Sequence, residues 1–359
     1  MFELLKELAL LHGPSGFEQP VVSYLNERLK DVADQLDTDS HGNIIARKKG
    51  NCAAKIIITA HMDEVGFIIR KIEENGLLRF EQLGGHDERV LPAQKVQIRT
   101  KSGMLTGIIG TISAHYKKFE QDIKVKRLRD LYIDVGASSR QQAVAMGINI
   151  GDPVTWLSSI EFLGNETTGK LVGKGFDDRA GCAVVVKVLE ELTDFAGEII
   201  AIFTVQEEVG LRGAKIAVEG ISADVAVAVD TTAASDTPEG VLDDFIQIGQ
   251  GTGIKIMDAS LIAHPAVKDK LAVIAQEESI DFQYEVFPGI GTDGGAIHLA
   301  NSGIPTGVLS IPSRNAHSAV EVISIKDLEG TKELLKCYIS SFKEEEKFLF
   351  IDNGEGESK

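Results

Sequence analysis

The feature that most constrains this fold is an alternation of helix and strand patterns that a purely β-type segment interrupts. After Trp156 the chain alternates helical periodicity, first over residues 178–192, with apolar runs typical of buried strands, first over residues 198–205. Between residues 66 and 153, short β-rich segments lie between Gly, Asn and Asp turns, and helical periodicity is almost absent. Alternating units predict a mostly parallel sheet covered by helices, so we expect an α/β domain with an inserted β domain.

The predicted architecture is therefore a mostly parallel mixed sheet flanked by helices, with a small all-β, barrel-like domain inserted into it. Residues 1–65 and 154–359 are expected to form the catalytic domain, and residues 66–153 the insertion. Ser324-Ile-Lys-Asp327 has the spacing of a capping box, which predicts the start of the last helix. Further strands are predicted at 55–60, 224–229, 283–287 and 306–311, a hairpin at 37–49, and helices at 2–11, 18–29, 211–218, from Pro265 and from 324 to about 342.

A strong excess of acidic side chains excludes two classes of partner. The 359 residues contain 54 Asp and Glu against 37 Lys and Arg, which gives a formal net charge of −17. Such a surface repels nucleic-acid phosphates and anionic lipid. No apolar run approaches the ~18–20 residues that span a bilayer. Neither nucleic acid nor a membrane is expected as a partner.

The cysteines and the N-terminal residues predict a cytoplasmic protein. Cys52, Cys182 and Cys337 are an odd number, lie far apart and have no CxxC spacing, which is typical of buried thiols in a reducing compartment. The first residues lack the basic region and the small-residue cleavage site of a signal peptide, and their periodicity suits an amphipathic helix.

Side chains that bind metals follow the predicted strands, at the points where those strands end. In open α/β sheets this edge is where ligands bind. The residues concerned are His61, Asp63 and Glu64 after the strand 55–60, Glu207 and Glu208 after 198–205, Asp230 after 224–229, His317 after 306–311, and Asp177 and Asp178 before the helix 178–192.

Each of these residues has an ordinary structural interpretation when it is taken alone. Asp177 or Asp178 can cap its helix, and adjacent glutamates are usually a solvated pair. Five separate strand or helix ends with ligand-type side chains are harder to explain in this way. Carboxylates crowded together are costly to bury unless a cation compensates them. Imidazole and carboxylate ligands together favour Zn, Co or Mn over Ca or Mg, so we predict a transition-metal site.

The spacing also suggests roles within such a site. Asp63 follows His61 by two residues, so both project to one side of an extended segment, and the carboxylate can hold the imidazole tautomer. Glu207 and Glu208 point in different directions, so that one can bind metal while the other takes a proton from water. Two metals that share a carboxylate keep a net positive charge against three ligand carboxylates, which acidifies a bridging water. This chemistry is hydrolysis.

Other motifs carry less chemistry. The loop 289–295, Gly-Ile-Gly-Thr-Asp-Gly-Gly, lacks the lysine and spacing of a phosphate loop and is expected to shape the substrate pocket. No GxSxG motif is present, and no organic cofactor is predicted. The basic stretch from Lys117 to Arg129 is interpreted either as a loop that lines a neighbouring site or as a solvent loop.

These motifs together resemble the tetrahedral aminopeptidase family, which contains glutamyl and deblocking aminopeptidases and some members labelled cellulase. The resemblance covers nearly the whole chain, including the position of the β insertion. It is carried by HMDE at 61–64, GKGFDDRAG at 173–181, QEEVGLRGA at 206–214, VDTT at 229–232, GTDGGAIHLA at 291–300 and AHSAVE at 316–321.

The resemblance implies a dinuclear metal site and a large assembly. It implies that the β domain makes subunit contacts and that dimers assemble into hollow dodecamers. A family position that is commonly aromatic is Asn315 here, which leaves the substrate preference open. The implied roles are His61, Asp177 and Asp230 on one metal, Asp177, Glu208 and His317 on the other, Glu207 as general base, and Asp63 as the residue that orients His61.

The leading hypothesis is a cytoplasmic aminopeptidase that uses two Zn or Co ions and a Glu207 base to hydrolyse the N-terminal bond of short peptides. A cellulase-like glycoside hydrolase is the alternative enzyme, but sugar clefts are usually rich in aromatic residues and this chain has one Trp and 6% aromatic residues. A non-catalytic, metal-stabilised scaffold is the third possibility, and a base beside the ligands argues against it.

Overall fold

The computed structural model describes residues 1–119, 125–238, 246–343 and 346–350. Residues 120–124 of the predicted basic loop lie outside the described residues. The α-helices are Phe2–Leu10 (α1), Gln19–Leu29 (α2), Arg140–Ala145 (α3), Phe176–Glu191 (α4), Arg212–Ala217 (α5), Pro265–Glu277 (α6), Gly294–Ile297 (α7) and Ile325–Ser340 (α8). Short 3₁₀ turns lie at Ala114–Phe119, Leu128–Asp130 and Glu166–Thr168.

The strands fall into a large sheet and a barrel. In chain order they are Gln35–Thr38 (β1), Ile44–Lys49 (β2), Lys55–His61 (β3), Gly66–Ile72 (β4), Leu78–Leu83 (β5), Lys95–Thr100 (β6), Gly103–Ile109 (β7), Ile133–Asp134 (β8), Pro153–Trp156 (β9), Glu161–Phe162 (β10), Lys170–Gly173 (β11), Glu198–Thr204 (β12), Val225–Ala233 (β13), Thr252–Asp258 (β14), Phe282–Phe287 (β15), Thr306–Arg314 (β16) and Glu321–Ser324 (β17).

The centre of the sheet is parallel, in the order β12, β3, β13 and β16. These strands are almost wholly buried, which is why their sequences are continuous apolar runs rather than alternating ones. Antiparallel strands extend the sheet on both sides, β2 and β1 beyond β12, and β17, β11 and β10 beyond β16. The predicted mixed sheet is confirmed, and its parallel pairing is concentrated at the centre.

Helices cover both faces of the sheet. Ile56 and Ile58 of β3 belong to a large buried cluster with residues of α1, α2, α4, α6 and α8. Ile57 points to the opposite face, where a smaller cluster includes residues of α5 and α7. This division follows from the alternation of side chains along a strand. The predicted arrangement, a sheet between two helical layers, is therefore observed.

The inserted segment forms a closed antiparallel barrel in the order β4, β5, β8, β7, β6 and β9, and β9 extends the barrel to Trp156, past the expected boundary at residue 153. Phe67, Phe80 and Trp156 fill its interior, with ring centroids 5.1 Å apart between Phe67 and each of the other two. Closure pairs every strand edge, which protects a small β domain from edge-to-edge association. The barrel confirms the predicted fold class.

Two local predictions need correction. Cys182 is buried, but Cys52 and Cys337 are only partly buried, so the prediction of three buried thiols is wrong for two of them. The predicted capping box is incomplete. Ser324 Oγ accepts from the Lys326 N–H, but the Asp327 carboxylate accepts from the Gly249 and Gly251 N–H groups instead of capping its own helix.

Within the described chain, no helix has the length and apolar character to cross a bilayer. The cytoplasmic location stays a prediction.

Candidate metal centre

The predicted ligand residues come together at the carboxyl edge of the parallel strands. His61 is the last residue of β3. Asp230 lies inside β13, not after it as predicted, because residues 230–233 continue the parallel pairing with β16. The loop after β12 places Glu207 and Glu208 at the same edge, the loop after β16 places His317 there, and the start of α4 places Asp177 there.

Three side chains form what we call the inner triad, His61, Asp177 and Asp230. The Nε2 atom of His61 lies 3.2 Å from Asp177 Oδ1 and 3.6 Å from Asp230 Oδ1. His61 is 2% exposed and Asp230 6% exposed, so this group is enclosed by the core. One donor atom from each residue lies within 4.8 Å of the others, which is close enough for a single cation to reach all three.

A second group, the outer triad, consists of Asp177, Glu208 and His317. The Nε2 atom of His317 lies 3.4 Å from both Asp177 Oδ2 and Glu208 Oε1, and the three donors again lie within 4.8 Å. The Nδ1 atom of His317 is 2.8 Å from the carbonyl oxygen of Gly85 on the barrel, so a proton on Nδ1 leaves Nε2 free for a metal. Asp177 thus offers one oxygen to each triad.

The electrostatics of the centre suit added cations. Burial, reinforced by the Asp177 carboxylate, raises the pKa of Glu208 to about 8. Glu208 Oε1 is also buried without a hydrogen-bond partner. Although burial opposes it, the carboxylates raise the pKa of His61 and of His317, so that protons on the imidazoles offset the crowded negative charge. Divalent cations that displace those protons would compensate the carboxylates, and the donor set is therefore chemically suited to metal.

The Asp63 carboxylate organises more than the histidine that it was predicted to orient. His61 Nδ1 lies 3.1 Å from the main-chain oxygen of Asp63 and 3.4 Å from its carboxylate, so the main chain is the nearer acceptor. The carboxylate also accepts from the Glu207 and Glu208 N–H groups, at 2.9 and 3.2 Å, and from the Ser15 hydroxyl at 2.6 Å. Asp63 therefore holds the loop that carries both glutamates.

Glu321 is a supporting residue that sequence reasoning missed. Its carboxylate accepts from the main-chain N–H groups of Phe176 at 2.6 Å, Asp177 at 3.2 Å and His317 at 3.0 Å. It therefore ties the shared ligand to a ligand of the outer triad, and it is only 1% exposed. The AHSAVE motif contained this glutamate, but nothing in the local spacing distinguished it from a solvated side chain.

The neighbouring aspartates 177 and 178 have different environments. Asp178 is fully buried, and its carboxylate accepts from the His61 N–H at 3.3 Å and from the Gly181 N–H at 2.9 Å. Burial raises its pKa well above the usual range. Asp178 therefore supports the start of α4 and the end of β3, whereas Asp177 reaches both triads.

A pocket of about 580 Å³ opens above the two triads. Glu207 lines this pocket, with Oε2 3.9 Å from His61 Nε2. Burial, reinforced by Asp230 and Glu208, raises the pKa of Glu207 well above its usual range. Gly289, Ile290 and Gly291 also line the pocket, as expected for this loop. Asn315 is not among the residues that line the pocket.

Comparison with known proteins places this arrangement among peptidases. A model of the M42 glutamyl aminopeptidase family matches residues 42–334. The aminopeptidase APDkam598 of Desulfurococcus kamchatkensis has a similar structure, with a TM-score of 0.91 and 42% sequence identity over 96% of this chain and 95% of that one. Among curated relatives, a lysyl aminopeptidase of Pyrococcus furiosus is 32% identical over 95% of this chain and 97% of its own length. A glutamyl aminopeptidase of Lactococcus lactis is 31% identical over 96% of this chain and 97% of its own length.

Two further solved structures bear on the predictions of assembly and activity. The TET1 peptidase of Pyrococcus horikoshii, described as able to assemble into a tetrahedron or a large octahedral shell, has a TM-score of 0.86 and 32% identity over 95% of this chain and 99% of that one. A Thermotoga maritima protein described as an endoglucanase has a TM-score of 0.77 and 34% identity over 94% of this chain and 96% of that one.

Proposed function

This chain belongs to the M42 glutamyl aminopeptidase family and is an aminopeptidase, and on that premise we propose that it removes N-terminal residues from short peptides at a centre of two divalent metal ions. The observation that carries the proposal is the position of Asp177. Its Oδ1 lies 3.2 Å from His61 Nε2 and its Oδ2 3.4 Å from His317 Nε2, so one carboxylate can bridge two ions.

Each triad would hold one ion. His61, Asp177 and Asp230 would bind the first, and Asp177, Glu208 and His317 the second. Mixed imidazole and carboxylate donors favour Zn or Co over Ca or Mg. Such ions polarise a peptide carbonyl and lower the pKa of water, which is the chemistry of amide hydrolysis.

Glu207 would be the general base of the reaction. Its carboxylate lines the pocket beside the inner triad but belongs to neither triad, so it stays available for proton transfer. It would accept a proton from the attacking water and give it to the amine that leaves. Asp63 would support this step by holding the Glu207 main chain and the ring of His61.

The test of the base is the Glu207→Gln variant. This change keeps size and hydrogen bonding but removes the proton acceptor, so turnover of an aminoacyl-anilide should fall by ~10²–10⁴-fold. Metal analysis should still find two ions per subunit. Glu208→Gln is the matched comparison, because it should lose metal as well as turnover. Near-normal turnover in Glu207→Gln would exclude this residue as the base.

The pocket argues against the alternative functions. The single tryptophan, Trp156, is buried inside the barrel, and Phe287 is the one Phe, Tyr or Trp among the described residues that line the pocket. A sugar-binding cleft usually has more aromatic surface than this. A scaffold would have no need of Glu207 beside the triads. Assays on aminoacyl-anilides and on cellulose, with and without chelator, separate the three functions.

We also propose that the protein is a homo-oligomer, with a dodecamer built from dimers as the expected form. Support comes from the assembly described for the TET1 relative. Further support comes from apolar side chains exposed on the inserted segment, among them Met104 at 47% and Ile108 at 48% on β7 and Tyr116 at 62% in the 3₁₀ turn after it. Light scattering at micromolar concentration should report a mass near twelve subunits, and a stable monomer would end this proposal.

A further inference from the structure

Among the described residues that line the pocket above the triads, none is Lys or Arg. We propose that this pocket selects peptides whose first side chain is aliphatic and uncharged and rejects first-residue Glu and Asp. The inference rests on the proposed function and names its substrate class. It also differs from what the relatives would suggest, because this chain is about equally similar to a lysyl and a glutamyl aminopeptidase.

The part of the pocket lining that we call the wall consists of uncharged residues. Leu211, Phe287 and Ile290 supply its apolar side chains, and each of them is partly buried. The wall also includes two threonines, an alanine and two glycines, at positions 231–233, 289 and 291. An aliphatic side chain placed against this surface would exchange water for apolar contact.

The charges at the floor of the pocket leave no excess positive charge that could bind an acidic substrate side chain. Four lining carboxylates, those of Asp177, Glu207, Glu208 and Asp230, would balance the four positive charges of two divalent ions. The other lining carboxylate, Asp87, adds negative charge at the rim. Among the described residues that line the pocket, none is Lys or Arg. A substrate carboxylate would therefore lose water without gaining a cation.

The cation behind the wall is already paired. Lys255 is fully buried, with Nζ 3.0 Å from Glu285 Oε1 and 3.7 Å from Asp258 Oδ2. The Thr232 hydroxyl donates to Glu285 at 2.7 Å, and the Thr292 hydroxyl donates to Asp258 at 3.2 Å. The buried cluster contacts the wall through Thr232, and its cation is paired with carboxylates and does not line the pocket.

Cations near the rim are likewise engaged. The Arg89 guanidinium binds Asp87 through Nε at 2.7 Å, and Arg127 lies 3.2 Å from Glu88. Arg212, next to the wall residue Leu211, donates to the Gln206 side chain at 3.2 Å. Turning any of these side chains toward a substrate would break an existing contact.

The first test is a panel of Leu-, Ala-, Lys- and Glu-p-nitroanilides with the assembled, metal-loaded protein. Leaving a carboxylate unpaired in a pocket typically costs more than a methylene mismatch, so kcat/KM for Leu should exceed that for Glu by ~10²-fold or more. Leu should exceed Ala by roughly tenfold, because the missing methylenes leave the wall unfilled. Equal or faster cleavage of Glu or Lys overturns the inference. If no aminoacyl substrate is cleaved, the proposed function itself fails.

A second test adds the missing charge to the wall. Ile290→Arg should raise the ratio of kcat/KM for Glu to that for Leu by at least about tenfold. Val286→Arg is the matched control, because Val286 is 42% exposed on β15 and does not line the pocket, so this ratio should stay at the wild-type value. Metal content and residual Leu cleavage establish that each variant is folded. Selection by the wall would be contradicted if the ratio for Glu to Leu changed equally in both variants, or if it did not change in a folded Ile290→Arg.

Discussion

The inner and outer triads share a carboxylate but are built in different ways. The inner histidine and aspartate sit on the central strands β3 and β13, where the sheet and α4 enclose them. The outer glutamate and histidine lie on loops. The Nδ1 atom of His317 is 2.8 Å from the Gly85 carbonyl oxygen of the inserted domain, and its side chain is 34% exposed. The same ligand chemistry is therefore rigid and enclosed on one side, and open to substrate and to the second domain on the other.

Backbone conformation makes the same distinction. Gln206 and Leu211 flank the outer glutamate with φ of 55° and 56°, and Asn315 and His317 have φ of 55° and 61°. These are left-handed conformations that side-chain-bearing residues rarely adopt, apart from Asn. Neither His61 nor Asp230 has a positive φ. Within the site, left-handed backbone therefore occurs in the loops of the outer triad, as is common where substrate binds.

The largest effect should come from the residue that joins the two triads. Asp177→Asn removes the bridging charge, and the remaining carboxylates would not hold two cations close together against their repulsion. We expect activity to be lost and metal occupancy to fall at both positions. Asp178→Asn is the control, because this buried carboxyl accepts from the main-chain N–H groups of His61 and Gly181 and supplies no donor atom to either triad, so most metal should remain. If metal analysis shows that Asp178→Asn loses both ions and Asp177→Asn does not, the shared ligand is Asp178 and not Asp177.

A second experiment separates the triads. His61→Ala removes a buried ligand, so we expect the tighter of two metal-binding steps to disappear and the protein to unfold at lower temperature. His317→Ala should remove chiefly the weaker step and leave thermal stability closer to wild type, because its side chain is partly exposed. Calorimetric titration of the chelator-treated protein with Zn²⁺ measures both steps. If both variants lose the same Zn²⁺-binding steps, the two triads form one cooperative site.

A smaller effect is expected from Glu321. Glu321→Gln replaces one acceptor oxygen with a donor, which would face main-chain N–H groups. Residues that hold metal ligands in place typically contribute 10–100-fold to affinity. We expect a loss in that range at both positions, larger at the outer triad, because the glutamate contacts both Asp177 and His317 there. The exposed Glu219→Gln is the matched control. Unchanged Zn²⁺ affinity in Glu321→Gln would show that it acts only in folding.

The smallest effect concerns the seam between sheet and barrel, on which the outer triad depends. His12 is 3% exposed, its Nε2 lies 3.3 Å from the Gln97 carbonyl of β6, and burial lowers its pKa to about 4. The unfolded chain therefore binds a proton between pH 6.5 and 4 that the folded chain does not, and stability falls as pH falls through that window. His12→Gln should flatten this dependence by up to about one proton. Urea unfolding between pH 4.5 and 8 measures the pH dependence of the free energy of unfolding. If this dependence is the same in the wild type and in His12→Gln, His12 does not cause it.

Prediction from sequence succeeded where one element determines the outcome. The apolar run of β3 and the glycine-punctuated segment from residue 66 identified a buried central strand and a β insertion, because strand burial and turns leave local patterns. It was less accurate where a distant group competes. Asp327 has the spacing of a capping residue, but Gly249 and Gly251 bind its carboxylate from another part of the chain.

What the sequence determined by itself was the kind of site, since strand ends carry ligand side chains to one edge of any parallel sheet. Only the tertiary structure decided how that site is completed. It separated Asp177 from Asp178 by their surroundings, brought Glu321 beneath two ligands, and paired Lys255 behind an uncharged wall. These outcomes depend on contacts between residues far apart in the chain. Burial in the folded protein decides whether a charge faces the pocket or a partner, and local sequence spacing does not predict such contacts.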